Sequence, residues 1–239
     1  MTPPLFLVDE LPSGDVVGLD GAEGRHAARV KRIAVGETVL IGDGRGTVAS
    51  CVVDNVGTDA LTVRVIARRT VPEPDPRIVI VQALPKGERA ELAVELLTEV
   101  GVDEIVPWAA ARSIVQWTGE RGAKARAKWH RAAAEATKQS RRAWMPRVAE
   151  LVTTADVGVR TGTVFVLHEA ATEPLSAVPL PSAGEIVLVV GPEGGVSEDE
   201  LAALTAAGAR PVRLGDPVLR TSTAGAAAVS ALSVRLGRW

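Results

Sequence analysis

The 239 residues are 46% hydrophobic and 23% charged with a formal net charge of −2, proportions that suit a globular chain and argue against wholesale coating of nucleic acid. The single cysteine, Cys51, excludes an intrachain disulfide and a cysteine-based zinc site; His26, His130 and His168 are far apart and show no metal-ligand spacing, so no metal is expected. No apolar run approaches a membrane span, and the start Met1-Thr2-Pro3-Pro4 lacks a basic n-region, so a cytoplasmic protein with no membrane partner is expected.

With five Trp, two Phe and no Tyr, the core must be built from Val, Leu, Ile and Ala. The first part of the chain reads as mostly β. Residues 5–8 form a short apolar strand, and 37–41 and 47–53 flank the turn Gly42-Asp43-Gly44-Arg45-Gly46 as a hairpin. Cys51 falls in the second of these runs and reads as a small buried residue. Residues 61–66 alternate as a further strand. A helix over 23–33 places Arg25, Arg29 and Arg32 on one face. The expectation is a small β-barrel domain over 1–70 with a basic helix on its side.

Val71-Pro72-Glu73-Pro74-Asp75-Pro76 follows as a linker over 71–76, because alternate prolines block both helix and ladder pairing. Over 77–239 strands and helices alternate, which implies an α/β layer architecture with a mainly parallel sheet. The apolar run 78–81 is a strand, and 88–100 is a helix with Leu92, Leu96, Leu97 and Val100 facing inward and Gly101 as C-cap. A strand begins at Ile105-Val106, and strands follow at 163–167 and 186–190. The helix over 197–207 opens on a Ser197/Glu200 capping box and ends at Gly208. A short strand over 212–214 precedes a final helix over 221–236, whose Ala, Gly and Ser residues allow close approach to its neighbours.

Charge is unevenly placed. Arg121, Lys124, Arg126, Lys128, Arg131, Lys138, Arg141, Arg142 and Arg147 are opposed only by Glu120 and Glu135, and Arg25, Arg29, Lys31 and Arg32 form a second cluster. An isolated basic helix is usually a solvated face, whereas two clusters in a slightly acidic chain point to a polyanion.

Three strand ends carry polar or glycine punctuation: Leu167-His168-Glu169, Gly191-Pro192-Glu193-Gly194-Gly195, and the run from Leu214-Gly215-Asp216 through Arg220 to Ala224. The glycine turn holds neither a G-x-G-x-x-G nor a G-K-[ST] pattern, so the dinucleotide fingerprint and the P-loop are excluded. Alone it reads equally as a tight turn or a ligand loop; with the other two it suggests one site outside the carboxyl ends of neighbouring strands.

Gly191-Pro192-Glu193-Gly194-Gly195, together with Leu214-Gly215 and Leu219-Arg220-Thr221-x-Thr223-Ala224, resembles the SPOUT class of RNA methyltransferases. Narrowly, it resembles the family that methylates N3 of a uridine in small-subunit (16S) ribosomal RNA. Leu84-Pro85-Lys86-Gly87, Thr98-Glu99-Val100-Gly101-Val102, Glu135-Ala136-x-x-Gln139-Ser140-Arg141-Arg142-x-x-x-Pro146 and Gly24-Arg25-His26-x-x-Arg29-Val30-x-Arg32 extend the resemblance over nearly the whole chain. The chain departs from the family at Ser222, where Glu is frequent, at Pro4-Leu5-Phe6-Leu7, where an Arg and two Phe are usual, and at Leu96, where Lys is frequent.

The resemblance implies a C-terminal domain with a deep trefoil knot, an N-terminal PUA-like RNA-binding barrel, a homodimer, and S-adenosylmethionine held in the three loops. Cofactor contacts are expected from Leu167, His168, Glu169, Gly191, Pro192, Glu193, Gly194, Gly195, Leu214, Gly215, Val218, Leu219 and Thr223. Glu193 would bind a cofactor hydroxyl or ammonium, or order its loop. Thr223 would cap the last helix while touching the cofactor. Arg220 is the expected catalytic residue, stabilising the deprotonated base, against the alternative of a bracing ion pair with Asp216 or Glu193. His168 is a weaker candidate for the base. Arg25, Arg29, Arg32, Lys86, Arg141 and Arg142 are the expected phosphate contacts in the small ribosomal subunit. A ribose 2′-hydroxyl methyltransferase and a non-catalytic RNA-binding assembly factor are the competing readings.

Overall fold

A computed structural model describes residues 2–87 and 89–239. Met1 and Glu88, the expected start of the first long helix, lie outside the described residues. The chain divides into two compact units, Met1–Glu73 with Thr137–Met145, and Pro74–Ala136 with Pro146–Trp239.

The first unit is built on a curled five-stranded sheet of β1 (Leu5–Leu7), β2 (Val16–Leu19), β3 (Thr38–Gly42), β4 (Thr47–Val56) and β5 (Leu61–Thr70), in the order β1-β3-β4-β5-β2. The expected hairpin is β3–β4, and Cys51 is fully buried in β4. Burial pushes its thiol above the usual cysteine range, with Arg68 nearby partly offsetting this. The sequence reading missed β2: its four residues alternate exposed and buried around Gly18, too short a period-2 signal to stand out.

The basic helix is not continuous. It consists of α1 (Gly21–Arg25) and a wider π-helical turn, His26–Val30, closed by Lys31 N–H donating to the His26 carbonyl at 2.9 Å. Arg32 then turns left-handed at φ 52°. The supposed single face of Arg25, Arg29 and Arg32 is therefore broken. Gly24 explains where the helix sits: a Cβ there would lie 2.4 Å from the Leu19 carbonyl oxygen, so α1 packs directly on backbone.

Residues 137–145 fold with this unit. Lys138 pairs with Glu23 at 2.7 Å in a largely buried ion pair, Arg141 Nε donates to the Pro3 carbonyl at 2.9 Å, and Trp144 Nε1 donates to the Val71 carbonyl at 2.9 Å. Trp144 needs Gly46, where φ is +101° and a Cβ would come within 2.8 Å of the indole.

The second unit holds a six-stranded, wholly parallel sheet of β6 (Arg77–Ala83), β7 (Glu104–Trp108), β8 (Arg147–Val148), β9 (Thr163–Leu167), β10 (Glu185–Val190) and β11 (Arg210–Val212). The order is β11-β9-β10-β6-β7-β8. The central strands are buried on both faces, which is why β6 and β10 read as unbroken apolar runs. The helices are α2 (Arg89–Glu99), α3 (Gly119–Ser140, whose last turn belongs to the first unit), α4 (Thr154–Gly158), α5 (Glu198–Ala206) and α6 (Thr221–Arg235).

The inner face of α2 is Ala93, Val94, Leu97 and Thr98; of the expected stripe Leu97 is buried, Leu96 and Val100 are half-buried and Leu92 is exposed. The reason lies in α6, against which α2 packs. A Cβ at Gly225 of α6 would meet Leu97 Cδ2 at 3.0 Å, so the glycine on α6 makes room for Leu97 of α2. Gly101, at φ +100°, closes α2 as expected, with Val102 N–H reaching the Leu97 carbonyl at 3.1 Å. The last strand lies two residues earlier than expected, because Arg213 pairs instead with the segment at Pro174.

The Ser197/Glu200 capping box is present and does more than cap α5. Glu200 is a buried carboxylate that accepts from Ala111 N–H at 2.7 Å, Thr154 Oγ1 at 3.2 Å, and both the amide and hydroxyl of Ser197. Burial raises its pKa, but these donors together outweigh that and hold the carboxyl below the usual glutamate value. A lowered folded-state pKa stabilises the fold above the unfolded value of about 4.3, and that gain is lost as pH falls through the folded value. Glu200→Gln should therefore cost about 2 kcal/mol at neutral pH. In thermal melts the gap from the wild-type chain should close in acid; a gap independent of pH would show that the charge is not what matters.

Candidate functional site

The sheet order places β11, β9 and β10 side by side, so their carboxyl ends open at one edge of the second unit. There the three loops surround a cavity of about 520 Å³, within the range of roughly 300–1,000 Å³ usual for small-molecule sites.

Leu167, His168 and Glu169 line it from the end of β9. Gly191, Pro192, Glu193, Gly194 and Gly195 line it from the end of β10. Leu214, Gly215, Val218, Leu219 and Arg220 line it from the segment between β11 and α6. The glycines are there for distinct reasons. Gly195 has φ +73°, and a Cβ on Gly191 would meet Val196 Cγ2 at 2.9 Å, so these two let the loop fold tightly. At Gly215 a Cβ would meet nothing closer than Pro217 Cδ at 3.8 Å, so backbone there faces open space.

Glu193 accepts a hydrogen bond from Lys86 N–H at 3.1 Å, which ties the glycine loop to the segment after β6. His168 Nδ1 accepts from Ala170 N–H at 3.2 Å, so one ring nitrogen is committed to shaping its own turn. Asp216 pairs with Arg213 at 3.2 Å and Glu193 with the Lys86 amide, leaving Arg220 exposed and without an ion pair among the described residues. Neither expected bracing partner holds it.

Thr223 does not line the cavity. The N-cap of α6 is Arg220, and Thr223 Oγ1 donates back to the Arg220 carbonyl at 3.1 Å rather than capping a free amide. The offset follows from the helix beginning at Thr221, which puts Thr223 in its first turn.

Several lining residues were not foreseen, Val190 and Val196 among the apolar ones and Arg112, Arg89 and Thr221 among the polar ones. Arg112 lines the cavity and donates from Nη1 to the Gly194 carbonyl at 3.0 Å, and Arg89 lines it from α2. Thr221 also lines it, and its hydroxyl donates to the Gly191 carbonyl at 2.6 Å while accepting from Gln82 Nε2 at 3.0 Å. Gln82, fully buried in β6, is the one signal that sequence offered: an amide inside an apolar strand calls for a partner.

Of the expected phosphate contacts, Arg25, Arg29, Arg32, Arg141 and Arg142 belong to the first unit and Lys86 to the second. Arg25, Arg32 and Lys86 are exposed. Arg29 is exposed but held by Asp59 at 2.5 Å and 3.1 Å, and Arg141 is tied to Pro3.

Two family models match the chain: an RNA methyltransferase PUA domain over residues 19–66 and an RNA methyltransferase domain over residues 72–233. The chain is 48% identical over its whole length to ribosomal RNA small subunit methyltransferase E of Mycobacterium bovis, covering 94% of that relative. It is 30% identical to the protein of the same name in Bacillus subtilis, with 95% of this chain and 91% of that one covered. The crystal structure of a ribosomal RNA small subunit methyltransferase E from Neisseria gonorrhoeae bound to S-adenosyl methionine superposes with a TM-score of 0.88 at 28% identity, covering 98% of both chains. Full-length identity at this level, joined to the fold and the three-loop cavity, places the chain in the ribosomal RNA small subunit methyltransferase E family of RNA methyltransferases.

Proposed function

We propose that the chain transfers a methyl group from S-adenosylmethionine to N3 of a uridine in 16S ribosomal RNA. One observation carries the reading: three loops converge on a cavity of ligand size in a chain 48% identical, end to end, to a named ribosomal RNA methyltransferase. The residues present fit this cofactor. Leu167, Val190, Pro192, Val196, Leu214 and Leu219 supply apolar walls suited to an adenine ring, and Glu169 and Glu193 are available for hydroxyl or ammonium groups. The open backbone at Gly215 suits close approach of a ligand.

The bound sulfonium supplies an already activated methyl group, so the protein's main task there is positioning. The harder task lies on the RNA side. Uridine N3 carries a proton and is a poor nucleophile until it leaves; the resulting anion spreads onto the flanking carbonyl oxygens. Arg220 stabilises that anion from the mouth of the cavity. The loop from Gly191 to Gly195, fixed by Arg112, Lys86 and Thr221, holds the donor side rigid.

On this reading residues 1–70 form a PUA-like RNA-binding barrel, 71–76 a linker and 77–239 the methyltransferase domain, knotted in the manner of SPOUT proteins. Arg25, Arg29, Arg32, Lys86, Arg141 and Arg142 contact phosphates of the small subunit, with Arg29 exchanging Asp59 for RNA. The working form is a cytoplasmic homodimer. No helix among the described residues is long and apolar enough to cross a membrane.

The test is to incubate the protein with labelled S-adenosylmethionine and unmodified small subunits or 16S RNA, then digest to nucleosides. Label in 3-methyluridine is the expected result. Label on a ribose 2′-hydroxyl, or RNA binding without label, would refute it.

A further inference from the structure

The long basic helix has an outer groove separate from the three-loop cavity. It has a volume of about 690 Å³ and lies wholly in the second unit. Its floor is small: Gly122, Ala123 and Ala127 of α3. One wall is Trp117, half-buried and set in a T-shaped pair with the buried Trp129, ring centroids 4.9 Å apart. The segment carrying Trp117 lies so close to the helix that a Cβ on Gly122 would meet Trp117 backbone at 3.0 Å, which braces the indole.

The rim is cationic. Arg126 is immobilised by the carbonyls of Ala149 and Val148, at 2.9 Å and 3.0 Å, and by Glu150 at 2.8 Å. Lys124 and Lys128 have acidic neighbours in Glu120 and Glu91. Arg131 and His130, which line the groove, are exposed and have no ion-pair partner among the described residues. After pairing, the groove therefore keeps an excess of positive charge beside an aromatic wall and a floor without bulky side chains. An acidic rim would repel a polyanion; this one attracts it.

We propose that this groove is a second RNA-binding site, in which a single-stranded nucleotide stacks on Trp117 and its phosphate meets Arg131. Stacking on an aromatic wall with flanking cations is how proteins hold unpaired nucleotides without reading their sequence. The inference rests on the RNA-methylating reading but assigns a contact remote from the methyl-transfer loops, one that sets RNA affinity and not the chemical step. It also gives a role to Arg131, a base of α3 that the cavity does not use.

The test measures affinity for a fluorescently labelled single-stranded oligonucleotide across a salt series, with methyl-transfer kinetics and light scattering on the same proteins. Trp117→Ala should weaken binding about tenfold, within the range for loss of base–aromatic stacking, and Trp117→Phe should restore most of it. Arg131→Glu, an exposed change that leaves packing intact, should weaken binding and lower the salt slope by about one or more. The KM for RNA should rise while kcat and cofactor affinity hold. Unchanged affinity in Arg131→Glu and Trp117→Ala, with wild-type methylation intact, would overturn the groove alone. A change in oligomeric state in place of RNA affinity would also overturn it, marking the groove as a protein contact. A wild-type chain that binds no RNA would overturn the groove and the functional reading together.

Discussion

Arg220→Ala is expected to lower kcat for methyl transfer by about 10²–10³-fold, the scale seen when one donor that stabilises a developing negative charge is removed. Three features of the structure put the loss in the chemical step. Arg220 is the N-cap of α6 and lines the cavity mouth, so its backbone position is fixed while its side chain is exposed. Asp216 is taken by Arg213 and Glu193 by the Lys86 amide, so no described carboxylate competes for the guanidinium. The cofactor walls, from Leu167 to Leu219, are untouched by the substitution, so donor affinity measured by calorimetry should stay within about threefold, less than a full apolar contact would cost. Arg220→Lys should recover part of the rate, since a point charge replaces a planar fork. Turnover unchanged in Arg220→Ala would remove the residue from the catalytic step.

The elements that read clearly in sequence are those whose local chemistry and tertiary context agree. The runs of β6, β9 and β10 are apolar because the parallel sheet is covered on both faces, and the Ser197/Glu200 box marks α5 because its caps are local. The three loops were legible as one site because β11, β9 and β10 are neighbours in the sheet, although their order cannot be read from spacing. What stayed hidden depends on distant partners. Leu92 looked like core, but α2 meets α6 where Gly225 admits Leu97, which leaves Leu92 exposed. The basic stretch at Arg25–Arg32 does not keep one α-helical face, because the chain widens into a π-turn over His26–Val30 and Arg32 turns left-handed. Within the basic stretch from Arg121 to Arg147, Lys138 is buried against Glu23 and Arg141 Nε reaches the Pro3 carbonyl, contacts with partners far away in sequence. Arg112 joins the site through a hydrogen bond to Gly194, 82 positions away in sequence, with no motif to announce it.

Thr221→Val, nearly isosteric, should destabilise the chain by about 3 kcal/mol and weaken cofactor binding at least about tenfold, because it strips two buried hydrogen bonds. The Thr221 hydroxyl stands between β6 and the glycine loop, accepting from Gln82 and donating to the Gly191 carbonyl. Valine keeps the shape and leaves the Gly191 carbonyl and one Gln82 N–H hydrogen unpaired; Gln82 Nε2 retains only its bond to the Ala83 carbonyl. Gln82 Oε1 is already buried without a partner, so that amide has no slack to absorb the change. Gly191 begins the loop that must hold the donor, and its Cβ position is closed off by Val196, so the freed carbonyl cannot relax by swinging the loop inward. Gln82→Leu supplies the contrast. It removes the whole amide, including the orphaned oxygen, and leaves the bond from Thr221 to Gly191 in place, so its cost in cofactor affinity should be several-fold smaller. Melting curves and calorimetric titration of the two variants decide the matter. Equal effects on cofactor affinity would show that the sheet, and not the hydroxyl on the glycine loop, shapes the binding site.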